Sequence, residues 1–174
     1  MYAKKTILSV TCLMMSAGLI STSHATDATG SLKAKLGIGA ACTLTSGNGS
    51  VLDFGNVADL SKLVNAETAT GSGIKVKCSN GTPYKIGFDG GLNGEPAPYG
   101  YKRNMIGPSS TLILYALYQD ARRQEQWPGI DHKNVVKGTG DGTEQEFPVY
   151  GTLPTGTAAP SGNYADTVTV TLRF

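Results

Sequence analysis

Two runs of strict two-residue alternation, one near each end, constrain the fold of this chain more than any other feature. Over residues 30–40, Leu32, Ala34, Leu36, Ile38 and Ala40 share one parity; Ser31, Lys33, Lys35, Gly37 and Gly39 take the other. Over residues 164–174, Val168, Val170, Leu172 and Phe174 stand against Thr167, Thr169, Thr171 and Arg173. A period of two places each set on one face of a β-strand. The front run has two uses. It pairs within its own domain, or it leaves to pair with the sheet edge of another molecule. Pattern alone favours the first, an ordinary opening strand of a closed sandwich. No turn follows Phe174, so any further strand beside the last run is expected to come from elsewhere.

The front run lies close to a new N-terminus. Met1-Tyr2-Ala3-Lys4-Lys5 is a charged start, residues 7–20 are mostly apolar or small, and Ser23-His24-Ala25 ends in small-x-Ala. This pattern predicts a secretory signal peptide over residues 1–25, cut after Ala25. The apolar run is short and broken by Ser9, Thr11, Ser16 and Gly18, which argues against a membrane anchor. Removing Lys4 and Lys5 from 15 basic and 13 acidic residues leaves 13 against 13. The sequence pI of 8.4 therefore owes much to the signal. A neutral mature chain without basic runs predicts no nucleic-acid partner.

Cleavage also removes Cys12 and leaves Cys42 and Cys78. In an exported chain this pair predicts one disulfide. Closing a loop of roughly 37 residues stabilises by about 3–4 kcal/mol on the chain-entropy model. Two free buried thiols are the alternative. Zinc is the weaker third, since His132 is the only other mature His.

Residues 26–174 can bury a core as one domain. Gly is abundant at 23 residues, Thr and Val are frequent, and long helical patterns are absent, which points to a sandwich or barrel. Strands are expected at 42–45, 51–55, 103–106 and 112–118, and as one run over 147–153 with Pro148 at an irregular edge. Ile74, Val76 and Cys78 alternate cleanly, as do Tyr84, Ile86 and Phe88. With Asn80-Gly81 between them, they predict a hairpin over 74–88. Residues 57–70 read as loop or one helical turn, and 89–100, 119–142 and 154–162 as loops.

Motifs for catalysis or cofactors are weak. No Gly-x-Ser-x-Gly elbow is present, and His132 between Asp131 and Lys133 reads as an exposed loop residue. The glycines at 138–142 lack the Lys and helix of a phosphate loop. Asp89, Glu95, Asp131, Asp141 and Glu144 lack calcium-loop spacing. Tyr99, Tyr101 and Trp127 are candidates for a sugar-binding surface, although scattered aromatics in a sandwich usually pack.

One ordered set of motifs remains. It runs Cys42, Leu52-Asp53-Phe54-Gly55, Ile74-Lys75-Val76-Lys77-Cys78-Ser79-Asn80-Gly81-Thr82-Pro83-Tyr84 and Arg103-Asn104-Met105. It continues with Leu114-Tyr115-Ala116-Leu117-Tyr118-Gln119-Asp120, Trp127, Val149-Tyr150-Gly151 and Gly162-Asn163-Tyr164-Ala165-Asp166-Thr167-Val168-Thr169-Val170. In order and spacing it resembles the spore coat protein U domain family over nearly the whole mature chain. That family includes pilin subunits of archaic chaperone–usher pili such as the Csu pili. The chain departs from the family at Val57, where Tyr is common, and at Pro128, which replaces Gly after the Trp.

The resemblance implies an all-β fold: an incomplete immunoglobulin-like β-sandwich that lacks its last strand and is completed by donor-strand exchange. It divides the chain into signal peptide (1–25), N-terminal donor strand (26–40) and pilin domain (41–174). Leu32, Ala34, Leu36 and Ile38 become the donor residues, and Val168, Val170, Leu172 and Phe174 the acceptor-groove candidates. The implied partners are a periplasmic chaperone, an outer-membrane usher and other pilin subunits. The implied function is that of a structural subunit of an extracellular pilus serving adhesion and biofilm formation, without cofactor or enzymatic activity. The alternative is a self-contained exported binding module for a sugar or surface ligand.

Overall fold

The computed structural model describes residues 27–46, 50–98, 100–156 and 158–174. The expected signal peptide, the turn at Gly47-Asn48-Gly49, and Tyr99 lie outside the described residues. The chain divides into two units, Met1–Leu36 and Gly37–Phe174. Of the first, the described residues 27–36 form no regular element and are exposed.

Among its described residues the second unit carries eleven strands and one short 3-10 turn, Pro108–Ser110. The strands are β1 (Cys42–Leu44), β2 (Val64–Glu67), β3 (Ile74–Cys78), β4 (Pro83–Phe88), β5 (Glu95–Ala97) and β6 (Gly100–Ile106). They continue with β7 (Leu112–Tyr118), β8 (Val136–Thr139), β9 (Glu144–Phe147), β10 (Tyr150–Leu153) and β11 (Val170–Arg173). Pairing gives three sheets, in the orders β1-β3-β9, β2-β10-β7-β6-β5 and β11-β4-β8. The β2–β10 ladder runs one residue pair beyond these bounds. The Thr68 N–H donates to the Val149 carbonyl at 2.9 Å, and the Val149 N–H donates to Thr68 Oγ1 at 3.1 Å.

Alternation made the strands, and burial shows why. On β3, Ile74, Val76 and Cys78 are buried, as are Tyr84, Ile86 and Phe88 on β4 and Ile113, Tyr115 and Leu117 on β7. All nine join one core with Trp127, Val149 and Leu153. Each such side chain removed from water stabilises by roughly 1.5–3 kcal/mol. Trp127 lies flat on Phe88, with ring centroids 4.3 Å apart and planes 7° from parallel.

The expected hairpin over 74–88 is not formed. The turn exists: the Thr82 N–H donates to the Ser79 carbonyl at 3.0 Å, and Gly81 supplies φ +79°, which costs glycine little. But β3 pairs with β1 and β9, whereas β4 pairs with β11 and β8. The turn carries the chain from one sheet to another. Tyr84 of β4 accordingly meets the Phe147 ring edge-on at 6.3 Å, and Phe147 is paired with Ile74 of β3. Side chains that alternate inward serve a hairpin and a sheet-to-sheet arch equally well, so the period could not separate the two.

Other expectations are corrected for equally local reasons. Residues 51–55 are not a strand. The Gly55 N–H turns back to Asp53 Oδ1 at 2.7 Å, with φ +73° at Gly55. Leu52 and Phe54 still pack on the core. The expected run 147–153 is broken at Pro148, which has no N–H to give a ladder; β9 and β10 lie on either side in different sheets. Strands β2, β5 and β8 fall in stretches expected to be irregular. Their residues have little β-propensity, and cross-strand partners formed them.

The Cys42–Cys78 disulfide is formed, with a sequence separation of 36. It joins β1 to β3 at directly opposed residues. Replacing both cysteines by alanine is expected to lower the unfolding free energy by about 3–4 kcal/mol, read as a lower urea midpoint.

Candidate assembly edge

Strand β11 is an edge strand. It pairs with β4, from Val170 opposite Phe88 to Arg173 opposite Lys85, and has no strand on its other side among the described residues. Such an edge leaves backbone N–H and C=O groups unpaired. Val168, Val170 and Leu172 pack against the core but stay half-buried. Phe174 is 59% exposed. These candidates thus form an apolar row that the chain itself covers only in part.

The segment entering β11 is fixed by a polar cluster that the alternation gave no reason to expect. Ala165 pairs with Ile106 by N–H to carbonyl bonds of 2.9 and 3.1 Å. Asp89 Oδ1 accepts the Thr169 N–H at 2.8 Å and the Gly91 N–H at 2.9 Å. Asp166 accepts the Tyr115 hydroxyl at 2.6 Å and the Leu92 N–H at 2.9 Å. Arg103, 1% exposed, donates from Nε to the Asp89 carbonyl at 2.9 Å. Its Nη2 reaches the Trp127 carbonyl at 2.9 Å and the Phe88 carbonyl at 3.3 Å. The available sign in the sequence was parity, since Arg103 shares the inward phase of Tyr101 and Met105.

Electrostatics follows from this burial. Burial pulls the Arg103 guanidinium below its ordinary value, while Tyr115, Asp89, Tyr101 and Asp166 oppose that. Burial pushes the Tyr115 phenol up, and its bond to Asp166 pushes further. For Asp89, burial raises the carboxyl, but the bonds from Thr169 and Gly91 and the Arg103 charge outweigh it and hold it below the usual range. A carboxyl depressed on folding stabilises above its unfolded value of about 3.9 and loses that stabilisation as pH falls through the folded value. Melting temperature should therefore drop below about pH 4, and Asp89→Asn should make that acid limb shallower.

Upstream, residues 27–40 present the other half of the expectation. They form no strand, and Leu32 is 94% exposed, Leu36 86% and Ile38 84%; Ala34 is exposed too. Trp127, 1% exposed, belongs to the core and not to a sugar-binding surface, and the half-buried Tyr101 ring packs close to Gly129 and Gly90. His132 is half-buried, its Nδ1 accepting the Asn134 N–H at 3.2 Å. Among the described residues, no group of His, Cys, Asp or Glu has metal-ligand geometry, and no helix is long and apolar enough to cross a membrane.

The chain is similar to the following known proteins. Protein U of Myxococcus xanthus is 31% identical over 183 residues, with 100% of both chains covered. A chain of the CsuC–CsuE chaperone–tip adhesion subunit pre-assembly complex, from archaic chaperone-usher Csu pili of Acinetobacter baumannii, superposes with a TM-score of 0.51 at 23% identity. That match covers 79% of this chain and 40% of the solved one. The P pilus rod subunit PapA gives a TM-score of 0.48 at 16% identity, over 76% of this chain and 97% of that one. The Spore Coat Protein U domain matches residues 28–171, and the chain belongs to that family.

Proposed function

We propose that this chain is a structural subunit of an exported chaperone–usher surface fibre that polymerises by donating residues 26–40 to the β11 edge of a neighbouring copy. The observation that carries this is the pairing of two incomplete features. One segment exposes a lone apolar face; one edge strand exposes a half-buried apolar row and a free ladder. Family membership and fold support the reading.

A donated strand supplies ladder bonds and pocket-filling side chains together. Leu32, Leu36 and Ile38 each contribute roughly 1.5–3 kcal/mol of burial, and Ala34 less. Head-to-tail insertion never closes, so it yields a fibre. Before assembly the open groove is an aggregation hazard. A periplasmic chaperone covers it, an outer-membrane usher exports the fibre, and the extracellular product serves adhesion and biofilm formation.

The test is the native size distribution of periplasm-expressed protein with and without residues 26–39. Polymers that vanish on deletion, leaving a folded species that captures a synthetic leader peptide, are expected. A stable full-length monomer that unfolds on deletion would make the leader an internal strand, and the binding-module reading would take over.

A further inference from the structure

The outer face of the β11-β4-β8 sheet carries a row of like charges. Arg173 stands directly opposite Lys85, and Lys85 directly opposite Lys137. Lys85, Lys137 and Arg173 are exposed, and the inward neighbours Tyr84 and Ile86 confirm the parity. Like charges directly opposite on adjacent strands destabilise a sheet. One acid answers them: Asp131 pairs with Arg173. Lys85 and Lys137 make no ion pair among the described residues.

The β3–β9 pair in this same chain is built the other way. There Lys75 stands opposite Glu146 and Lys77 opposite Glu144, and Lys75 reaches Glu144 at 3.2 Å. The chain balances charge on one pair of strands and leaves it unbalanced on the other. With 13 basic and 13 acidic residues outside residues 1–25, a row of three cations answered by one acid, Asp131, is not forced by composition.

Strand donation extends this row, and the argument here rests on the donation reading. If Leu32, Ala34, Leu36 and Ile38 fill the groove beside β11, Lys33 and Lys35 take the opposite parity. They then join the outer face that holds Arg173. Each junction so assembles cations from two copies across four adjacent strands, spaced about 4.8 Å from strand to strand. A free subunit has only part of the strip.

We infer that the strand-donated junction is a binding strip for an acidic polysaccharide, one that bears a carboxylate on successive sugars. The strip is linear and narrow, and it recurs along the fibre, so a long polyanion engages many junctions at once. Lysine suits it, being a mobile point charge that needs no fixed acceptor geometry. Thr171, Thr139 and Pro83 flank the row on this face, and the Gly129–Ile130 backbone packs over Gly87. None of these is aromatic, so base stacking by single-stranded nucleic acid finds no support here.

The experiment uses full-length fibres, immobilised polygalacturonate as probe, and neutral dextran as control. Wild-type fibres should be retained on polygalacturonate, released by salt, and pass over dextran. Lys85→Gln with Lys137→Gln, and separately Lys33→Gln with Lys35→Gln, should each cut retention roughly tenfold or more. Electron microscopy should show fibres of unchanged length, and the first pair should melt no lower than wild type because like-charge repulsion is relieved.

Normal fibres that ignore polygalacturonate would overturn the strip while leaving the fibre reading intact. Retention unaffected by either pair, or competition by duplex DNA equal to that by polygalacturonate at matched charge, would overturn it too. If no fibres form and monomers bind through Lys85 and Lys137 alone, the two-copy construction is wrong together with the donation reading.

Discussion

A full-length chain carrying Leu36→Asp is expected to form no long polymers while melting at the wild-type temperature. Leu36 is 86% exposed in its own chain, so the substitution removes no contact on which that chain's fold depends. In the proposed junction the same side chain has to enter an apolar groove. The lost burial amounts to roughly 1.5–3 kcal/mol, and an unpaired carboxylate taken out of water costs several kcal/mol more. A total above about 4 kcal/mol weakens each junction by a thousandfold or more. Because a fibre of many junctions multiplies the defect, the readout is all or none: long polymers by electron microscopy, or dimers and monomers. Lys35→Ser is the matched control on the opposite face, and it should assemble. Long fibres from Leu36→Asp would remove the leader from the donor role.

Arg103→Ala should cost about 3–5 kcal/mol of unfolding free energy, the range found when one member of a buried charged network is deleted. The substitution leaves the Asp89, Trp127 and Phe88 carbonyls without their donor and opens a space beside Tyr101, over whose ring the guanidinium sits at 5.7 Å. Arg103→Lys should recover little of this, since an ammonium cannot reproduce a planar fork reaching three carbonyls. Denaturant titration checks the magnitude. A second readout separates this network from generic core damage. Asp89 holds the Thr169 N–H just before β11, so Arg103→Ala should raise hydrogen exchange at Thr169 and Ile106 beyond the rise at β7.

Much of the core was legible in the sequence because burial on a pleated surface has a period of two. Ile74, Val76 and Cys78, then Tyr84, Ile86 and Phe88, are inward as their parity says. Leu112–Tyr118 lies between β10 and β6 as a central strand. With the expected signal peptide and its Cys12 set aside, Cys42 and Cys78 had one pairing to offer, and that bond is formed. The same parity rule singled out the leader, where an apolar face has no use in its own exposed segment.

What parity cannot encode is the identity of a strand's neighbour. The turn at Asn80-Gly81 carries β4 to another sheet instead of alongside β3; both outcomes bury the same side chains, and the pairing of β4 with β11 and β8 distinguishes them. Strands β2 and β8 exist through partners distant in sequence, β10 and β4, which no local propensity reports. Arg103 became a structural centre only when the Phe88, Asp89 and Trp127 carbonyls converged on it. The basic row of Arg173, Lys85 and Lys137 spans positions far apart in the chain and appears once the register sets them side by side. Sequence by itself determined which side chains leave water and which face of the leader is apolar, because those depend on residue type and local period. The tertiary structure alone decided which strands meet, where the buried charge is satisfied and which edge stays open, because these are contacts between residues that the chain brings together only by folding.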